Sequence, residues 1–266
     1  MKIYVINVPV ATERRAMQVA QAERFGLDMQ FIDAIDAEGL DDSFCQRAAN
    51  NWTRSVSKKD IACYLSHRHV WSLAAQDQGP VMIIEDDVVF SPAIKGILAH
   101  LDARDDAWNV IYDMEYAPGA HGLSKTLAWS ASDPDVTARL IYKNKIGLGA
   151  YVLSPKAAQM LHEGEPLYAM ADAYVWTRPW LSPYQIEPAP AVQMINLEDR
   201  PNLESGHAHN REIRFMNTST LRRKLIRARI TLDEARRMIP GLRDIVKRPL
   251  QFERDAFSNS MTQEEA

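Results

Sequence analysis

The sequence predicts an α/β fold in which helices flank a Rossmann-type mixed sheet, followed by a basic helical C-terminal segment. Apolar, β-branched runs at residues 2–8, 29–34 and 81–90 have the length and composition of buried strands. A helical stretch separates the first two runs, and strand, helix and strand in this order form a βαβ unit. A cluster of Lys and Arg after residue 218 sets the last segment apart.

Composition and charge describe one large domain, or one domain with an appended segment. The chain has 266 residues, of which 46% are hydrophobic and 25% charged, as in ordinary water-soluble globular proteins. Residues 219–248 carry a net charge of +7 within a chain of net charge −4, so the remainder is −11. These contrasts predict a body at 1–195, a linker at 196–218 and a basic helical segment and tail at 219–266. No nucleic-acid partner is expected.

The two cysteines, Cys45 and Cys63, have neither the number of a disulfide framework nor the spacing of a zinc site. The first apolar run is too short for a signal peptide, and charged residues follow it at Glu13 and Arg14. No run approaches the length needed to span a bilayer. These features predict a reduced, cytoplasmic location.

The first helix is predicted to begin with Thr12 as its N-cap and to end at Phe25, before Gly26. Its mixed surface predicts a position on the outside of the sheet. Residues 40–56 are polar and irregular, and are expected to form a loop or short helices over the functional site.

The next helix is predicted at residues 57–78, with Ser57 as N-cap and Asp60 completing a capping box. Its apolar stripe is continuous only if His67 is counted as part of it. His67 is therefore expected on the buried face, either as a core histidine with satisfied hydrogen bonds or as a ligand-binding residue.

Three consecutive carboxylates, Glu85, Asp86 and Asp87, interrupt the run at 81–90 near the carboxyl end of the predicted strand, where open α/β sheets usually bind ligands. On a continuous strand, Glu85 and Asp87 would share one face and Asp86 would point to the other. Two carboxylates on one face repel each other unless a cation lies between them, and carboxylate oxygens suit Mg²⁺ or Mn²⁺. The alternative is a solvated acidic loop.

The second half of the body is predicted to alternate short strands with loops and helices. The predicted elements are a helix from Pro92 to Leu101, a strand at 108–112, a long loop at 116–138, strands at 139–143 and 150–153, a helix from Pro155 to His162, and an edge strand or extended loop at 184–194. Long loops in compact domains are often functional, so the loop at 116–138 is a candidate.

Several short segments, collinear over residues 3–193, form a recognisable pattern. They are Ile6-Asn7 with Arg14, residues 31–36, residues 60–67, residues 83–87, residues 149–154 with Ala157, and Asp172 as a late acid. Together they resemble glycosyltransferase family 25, which is associated with lipopolysaccharide and lipooligosaccharide synthesis. The chain departs from the family at Asp60, Ala62 and Val8-Pro9, where Glu, Gly and Leu-Asp are common.

The resemblance implies a GT-A type fold and an inverting transfer of a sugar, often galactose, from a UDP-sugar to a hydroxyl of a glycan or lipid-linked oligosaccharide. It also implies a divalent cation, Mn²⁺ or Mg²⁺, which stabilises the leaving diphosphate. Asp87 would be the direct ligand of the cation, and Glu85 would contact the cation or the ribose. The candidate donor-binding residues are Asn7, Arg14, Asp36, His67, Glu85 and Asp86.

Asp172 is the candidate catalytic base, with Asp113 and Glu115 as substitutes, and the N-cap of a helix is its alternative role. His207 and His209 are weaker candidates for an extra metal ligand. Two other classes of function stay open on the residues alone. They are a metal-dependent phosphohydrolase and a non-catalytic module that binds nucleotide sugars or glycans.

The C-terminal segment is predicted to form a helix with one apolar and one cationic side, interrupted by Pro240-Gly241 and followed by a second short helix. Leu221, Leu225 and Leu232 lie at helical spacing among the basic residues. Such a helix favours peripheral binding to the anionic inner face of a membrane. The alternatives are packing on the acidic body or on a second subunit of a homodimer.

Overall fold

The computed structural model describes residues 1–143, 146–165, 167–197 and 213–258. Its strands are β1 Lys2–Asn7, β2 Asp28–Asp33, β3 Val56–Ser57, β4 Val81–Glu85, β5 Val88–Phe90, β6 Val110–Asp113, β7 Glu115–Tyr116, β8 His121–Ser124, β9 Trp129–Ser132, β10 Asp135–Lys143, β11 Ala150–Leu153, β12 Ser182–Glu187, β13 Ala191–Gln193, β14 Arg214–Phe215 and β15 Ile245–Arg248. Its α-helices are α1 Thr12–Phe25, α2 Asp42–Ala49, α3 Lys58–Ala74, α4 Ile94–Asp102, α5 Pro155–Glu163, α6 Ala171–Trp176, α7 Thr220–Met238 and α8 Asp255–Ser258. Short 3₁₀ turns lie at Met194–Asn196 and Ile239–Gly241.

A large mixed sheet dominates the fold, with the strand order β15-β8-β10-β12-β6-β11-β4-β1-β2 and with β9 paired to β10. β1 is parallel to both β2 and β4, whereas β11 is antiparallel to β4 and β6. The predicted α/β class, a mixed sheet flanked by helices, is confirmed. Because β1, β2 and β4 run in the same direction, their carboxyl ends meet at one edge of the sheet.

The sheet is covered on both faces, as the alternation along β4 shows. Val81 and Ile83 belong to a core shared with α3, α5 and α6, whereas Met82 and Ile84 belong to a second core shared with α4. All four side chains are at most 1% exposed. The apolar run of β4 therefore has the period of a strand buried on both faces, as predicted.

The caps of α1 and α3 follow the local sequence to different degrees. Ser57 accepts a hydrogen bond from the Asp60 backbone and the Asp60 side chain reaches back to Ser57, so the predicted capping box is confirmed. The N-cap of α1 is Ala11, not Thr12, because a turn in which the Ala11 amide bonds to the Val8 carbonyl at 2.8 Å sets the start of the helix. Gly26 ends α1 with a φ of 62°, a conformation that favours glycine.

The run at 81–90 is not one strand, which corrects the prediction. β4 ends at Glu85, Asp86 and Asp87 form a turn, and β5 pairs with β13 in a separate three-stranded sheet with β7. Gln18 of α1, fully buried, donates to the backbone carbonyls of Asp86 at 3.0 Å and Val88 at 2.7 Å. These bonds replace the bonds of a continued strand, and the turn places the acids at the end of β4.

Two further expectations for the middle of the chain are wrong. The predicted loop at 116–138 contains β8, β9 and the first residues of β10. The segment at 184–194 includes most of β12, which lies inside the sheet between β10 and β6. Pro183 is tolerated there because it pairs with Ile111 on the β6 side, while pairing with β10 begins at Tyr184.

The element boundaries near α4 and α7 also differ from the predictions. α4 begins at Ile94, after Pro92, rather than at Pro92. The short helix expected after Pro240-Gly241 is replaced by β15, which pairs with β8 along four residues. The β-branched pair Ile245-Val246 suits a strand, and the exposed edge of β8 supplies its partner. Within the described residues, no helix combines the length and apolar character needed to cross a bilayer.

Candidate functional site

A cavity of about 590 Å³ lies at the carboxyl ends of β1 and β4. Its walls come from the segments that follow β1, β2 and β4 and from one face of α3. They include Val8, Pro9, Val10, Arg14, Ile35, Asp36, Lys59, Cys63, His67, Glu85, Asp86 and Asp87. The structure therefore brings together five of the six candidate donor-binding residues, together with both candidate metal ligands.

A second cavity, about 390 Å³, adjoins the first, and Lys59, Cys63 and Glu85 line both. Its other walls are formed by Asp172 and Gln193, with residues 147–148 and 170–171. Glu85 thus lies between a cavity that contains Arg14 and Asp36 and one that contains Asp172. The arrangement has room for two ligands that meet beside Glu85.

Asp86 lies in the turn after β4, and both oxygens of its carboxylate accept hydrogen bonds. Asn7 and the Val8 amide donate to Oδ2 at 2.9 and 3.2 Å, and Arg14 donates to Oδ1 at 3.0 Å. Asn7 is fully buried and lies behind the cavity wall rather than in it. Arg14 and Asp86 both line the cavity, and the bonds from Asn7 and Val8 fix the position of Asp86 and, through it, that of Arg14.

Glu85 is held by three side chains. His67 Nε2 lies 3.2 Å and Cys63 Sγ 3.6 Å from Oε1, and Gln193 donates to Oε2 at 2.9 Å. Burial raises the pKa of Glu85, but the hydrogen bonds that it accepts from His67, Cys63 and Gln193 outweigh burial and lower the net pKa. Glu85 is therefore ionised, and one lone pair of Oε2 is free for a ligand.

A buried chain of hydrogen bonds fixes the orientation of His67. The indole of Trp71 donates to the hydroxyl of Tyr151 at 2.8 Å, and that hydroxyl lies 2.9 Å from His67 Nδ1. Because an indole can only donate, the Tyr151 hydroxyl accepts from Trp71 and gives its own hydrogen to Nδ1. Nε2 must then carry the ring hydrogen, which it donates to Glu85.

Replacing Tyr151 with Phe should lower both stability and the affinity for the sugar donor that the sequence resemblance implies. The indole of Trp71 and Nδ1 of His67 would lose their shared partner, at about 1–3 kcal/mol for each buried polar group left unpaired. His67 would no longer be fixed, so the Michaelis constant for the donor should rise. Nitrogen-15 NMR should show His67 with its hydrogen on Nε2 in the wild type and a mixture of tautomers in the variant.

Tyr174→Phe is the matched control, since it removes a buried hydroxyl that donates to the Leu161 carbonyl at 3.0 Å and takes no part in the His67 chain. It should lower stability by a similar amount and leave the donor Michaelis constant unchanged. Equal effects of the two variants on that constant would contradict a positioning role for Tyr151.

Asp87 is the acid without a partner. Its Oδ1 is buried and has no hydrogen bond. Burial, followed by the charge of Glu85, raises the pKa of Asp87 to about 7. A buried oxygen without a donor, beside a second carboxylate, is a suitable ligand for a hard divalent cation. The unpaired oxygen of Asp87 and the ionised carboxylate of Glu85 therefore suit the cation implied by the sequence, and they are its candidate ligands.

A different set of metal-ligating atoms, from Cys63, His67 and Glu85, lies within 4.8 Å of one another. Thiolate and imidazole ligands would suit zinc better than Mn²⁺ or Mg²⁺. In this structure the three groups satisfy one another by hydrogen bonds, and Nε2 of His67 carries a hydrogen. We therefore attribute the orientation of Glu85 to this cluster, and Asp87 remains the candidate ligand of the cation.

Asp172 lies in the first turn of α6, whose N-cap is Met170, so the alternative role of N-cap does not apply. Its Oδ1 accepts from the Ala173 amide at 2.6 Å. Burial, followed by smaller contributions that include the charge of Glu85, raises the pKa of Asp172. A carboxylate with a raised pKa on a cavity wall is suited to take a proton.

The two other candidates for the catalytic base lie outside both cavities. Asp113 and Glu115 are each 2% exposed and belong to neither cavity wall. Glu115 accepts from the Gly149 amide at 2.6 Å, and burial raises its pKa well above the usual value.

His207 and His209 lie outside the described residues. Asp36 stands at the rim of the first cavity, where its Oδ1 accepts from the Glu38 amide.

Several residues of the site were not predicted. Gln18, Tyr151 and Gln193 reach the site through hydrogen bonds to partners 68 or more residues away, and no local pattern marks them. Cys63 could have been found, because it lies one helical turn before His67 on the same face of α3.

Comparisons with known proteins show the family to which the chain is similar. The profile described as "Glycosyltransferase family 25 (LPS biosynthesis protein)" matches residues 1–175. The chain is similar to the lacto-N-neotetraose biosynthesis glycosyltransferase LgtE of Neisseria gonorrhoeae, with 24% identity over 250 residues, 81% of this chain and 86% of that protein. LgtB of Neisseria meningitidis is 31% identical over 114 residues, 41% of this chain and 38% of that protein.

Insect and mammalian relatives are longer. A glycosyltransferase 25 family member of Aedes aegypti is 32% identical over 123 residues, which are 41% of this chain and 20% of the mosquito protein. An inactive family member 3 of Homo sapiens is 25% identical over 125 residues, 42% of this chain and 21% of the human protein. Among solved structures, a glycosyltransferase involved in glycosylation of the major capsid of PBCV-1 has a TM-score of 0.39 at 12% identity, covering 73% of this chain and 94% of that one.

Proposed function

The chain belongs to glycosyltransferase family 25, and on this premise we propose that it is an inverting, metal-assisted transferase with a GT-A fold. It moves a sugar, galactose in the first instance, from a UDP donor to a hydroxyl of a lipopolysaccharide precursor or other glycan. The observation that carries the proposal is the unpaired, buried oxygen of Asp87 in the first cavity, beside Glu85, which lines both cavities.

The donor is proposed to occupy the larger cavity. Its walls offer apolar surface and backbone at residues 8–10 and 35–37 for a uracil ring, and the exposed carboxylate of Asp36 at the rim for the ribose or the base. Arg14, fixed by Asp86, supplies positive charge for the diphosphate. Asp87 and Glu85 would hold Mn²⁺ or Mg²⁺, which when bound stabilises the negative charge on the leaving diphosphate.

The acceptor is proposed to occupy the smaller cavity. Asp172 lies on its wall and would take the proton from the attacking hydroxyl at Oδ2, since Oδ1 is engaged by the Ala173 amide. Attack from this side, opposite the donor's leaving group, inverts the anomeric centre. Gln193 and His67 keep Glu85 directed between the two ligands.

The raised pKa of Asp87 gives a pH dependence with a definite sign. Below about pH 7 its carboxyl is protonated, and a proton competes with the cation for the same oxygen. Mn²⁺ affinity should therefore rise by about tenfold from about pH 6 to about pH 8. Calorimetric titration of the protein with Mn²⁺ at the two pH values measures this, and a flat affinity would contradict Asp87 as a ligand.

The experiment that tests the donor class is a thermal-shift screen of nucleotide sugars with and without Mn²⁺. We expect UDP-sugars, and UDP-galactose most strongly, to raise the melting temperature in a Mn²⁺-dependent way. Stabilisation by nucleotides of other bases to the same degree would contradict the proposed UDP specificity.

We further propose that residues 1–195 form the transferase domain, with 196–218 as a connection and 219–266 as an appended basic segment. The reaction is proposed to take place in the cytoplasm, on acceptors at the inner face of a membrane. Both cysteines are free thiols, a state that a reducing compartment preserves.

A further inference from the structure

Helix α7 presents an apolar stripe to solvent. Leu221, Leu225, Ala228, Leu232 and Ala235 follow one another at intervals of four and three residues, which places them on one side of a helix. Leu221, Leu225 and Leu232 are 69%, 62% and 51% exposed. Ile239 and Leu242, at 63% and 65% exposure, continue the exposed apolar series beyond the helix end.

The opposite side of α7 is the one that contacts the body. Ile226 and Ile230 are partly buried, and Ile230 packs against the larger core. Arg237 on the same side donates to the backbone carbonyls of Trp176 at 3.0 Å and Arg178 at 2.7 Å. Packing on the acidic body therefore accounts for the inner face of α7 and leaves the leucine stripe uncovered.

Exposed cations flank the stripe on both sides. Helical spacing places Arg222, Arg229 and Arg236 along one edge, and Lys224 and Arg227 along the other. Pairing of this stripe with α7 of a second copy would bring the basic edges together, and their repulsion opposes such a dimer. An anionic partner, in contrast, would neutralise both edges at once.

We propose that the leucine stripe of α7 is a docking surface for an anionic lipid bilayer. A helix of 19 residues is about 28 Å long and can lie flat, with its leucines among the acyl chains and its arginines and lysines at the phosphates. Long cationic side chains on both edges can reach the headgroups while the stripe is inserted. This inference goes beyond sugar transfer and assigns a membrane-facing side to the molecule.

The test is vesicle flotation of the full-length protein without donor or acceptor, so the result does not depend on transferase activity. We expect the wild type to bind phosphatidylcholine vesicles that contain one-third phosphatidylglycerol, more tightly at low than at high salt. Pure phosphatidylcholine vesicles should bind it far more weakly. Equal binding to both vesicle types would overturn the role of the cations.

Two sets of variants identify the surface. Leu225→Glu with Leu232→Glu should abolish flotation, whereas Val19→Glu, which changes an exposed apolar residue of α1, should leave it unchanged. Replacing Lys224 and Arg227 with Gln should weaken binding by about 30-fold at low salt. The proposal is overturned if the leucine variant floats like the wild type. It is also overturned if sedimentation shows a wild-type dimer that this variant dissociates.

Discussion

Replacing Asp87 with Asn is expected to abolish sugar transfer and, at the same time, to make the metal-free protein more stable. The pKa of Asp87 is raised to about 7, mainly by burial, so the folded protein binds a proton that the unfolded chain has lost. Its stability therefore falls as pH rises from about 4 toward 7, and the ionised carboxylate costs about 4 kcal/mol at pH 8. Asn has the same shape without the charge and removes this cost.

Transfer should be lost because an amide is a poor ligand for a hard cation, and stabilisation of the leaving group is worth several kcal/mol. Melting temperature at pH 8 without divalent ions, and turnover with saturating Mn²⁺, measure the two effects. Asp86→Asn is the matched control, since Asp86 accepts from Asn7, Val8 and Arg14 and its loss of charge should lower stability. Near-normal turnover of the Asp87 variant would contradict the role of Asp87 as a metal ligand.

The second large effect is expected for Asp172→Asn, which keeps the shape of the side chain but cannot accept the acceptor's proton. Turnover should fall by about 10²- to 10⁴-fold while the donor dissociation constant changes little. The raised pKa of Asp172, caused chiefly by burial, makes the wild-type carboxylate a stronger base than an exposed one. Initial rates and donor calorimetry on the same preparation separate the two quantities.

Glu115→Gln provides the comparison for this prediction. Glu115 is an almost fully buried carboxylate, but it lines neither cavity and accepts a hydrogen bond from the Gly149 amide. Its substitution should leave turnover within a few-fold of the wild type. A large loss for Glu115→Gln with a small loss for Asp172→Asn would transfer the role of base to Glu115.

The parts of the fold that were predicted correctly depend on short-range patterns. β1, β4 and β11 are continuous apolar runs, and α3 begins at a capping box within four residues. The split after Glu85 could not be predicted, because it depends on Gln18, which lies on another element and whose side chain gives no sign of its partners. β8 and β9 were missed for a related reason, since short polar strands gain stability from pairing with β10 and β15 rather than from their own composition.

For the candidate site, the sequence predicted which acids lie near one another better than it predicted the direction in which each one points. The acids Glu85, Asp87 and Asp172 do line adjoining cavities, since strand ends and helix starts gather at one edge of an α/β sheet. The alternation of faces expected for the three acids does not hold, because two of them lie on a turn. The chain from Trp71 through Tyr151 to His67 joins residues about 80 positions apart, and only the folded arrangement reveals it.

The central claim, that Glu85 and Asp87 support metal-assisted sugar transfer, is tested most directly by one assay. UDP release and glycan product are measured from UDP-galactose with a galactose-accepting oligosaccharide, in the presence of Mn²⁺ or of a chelator. We predict that wild-type product forms with Mn²⁺, that the chelator abolishes it and that restored Mn²⁺ recovers it. Equal product with the chelator would contradict the metal role. Binding of the donor without product in either condition would identify a non-catalytic module instead.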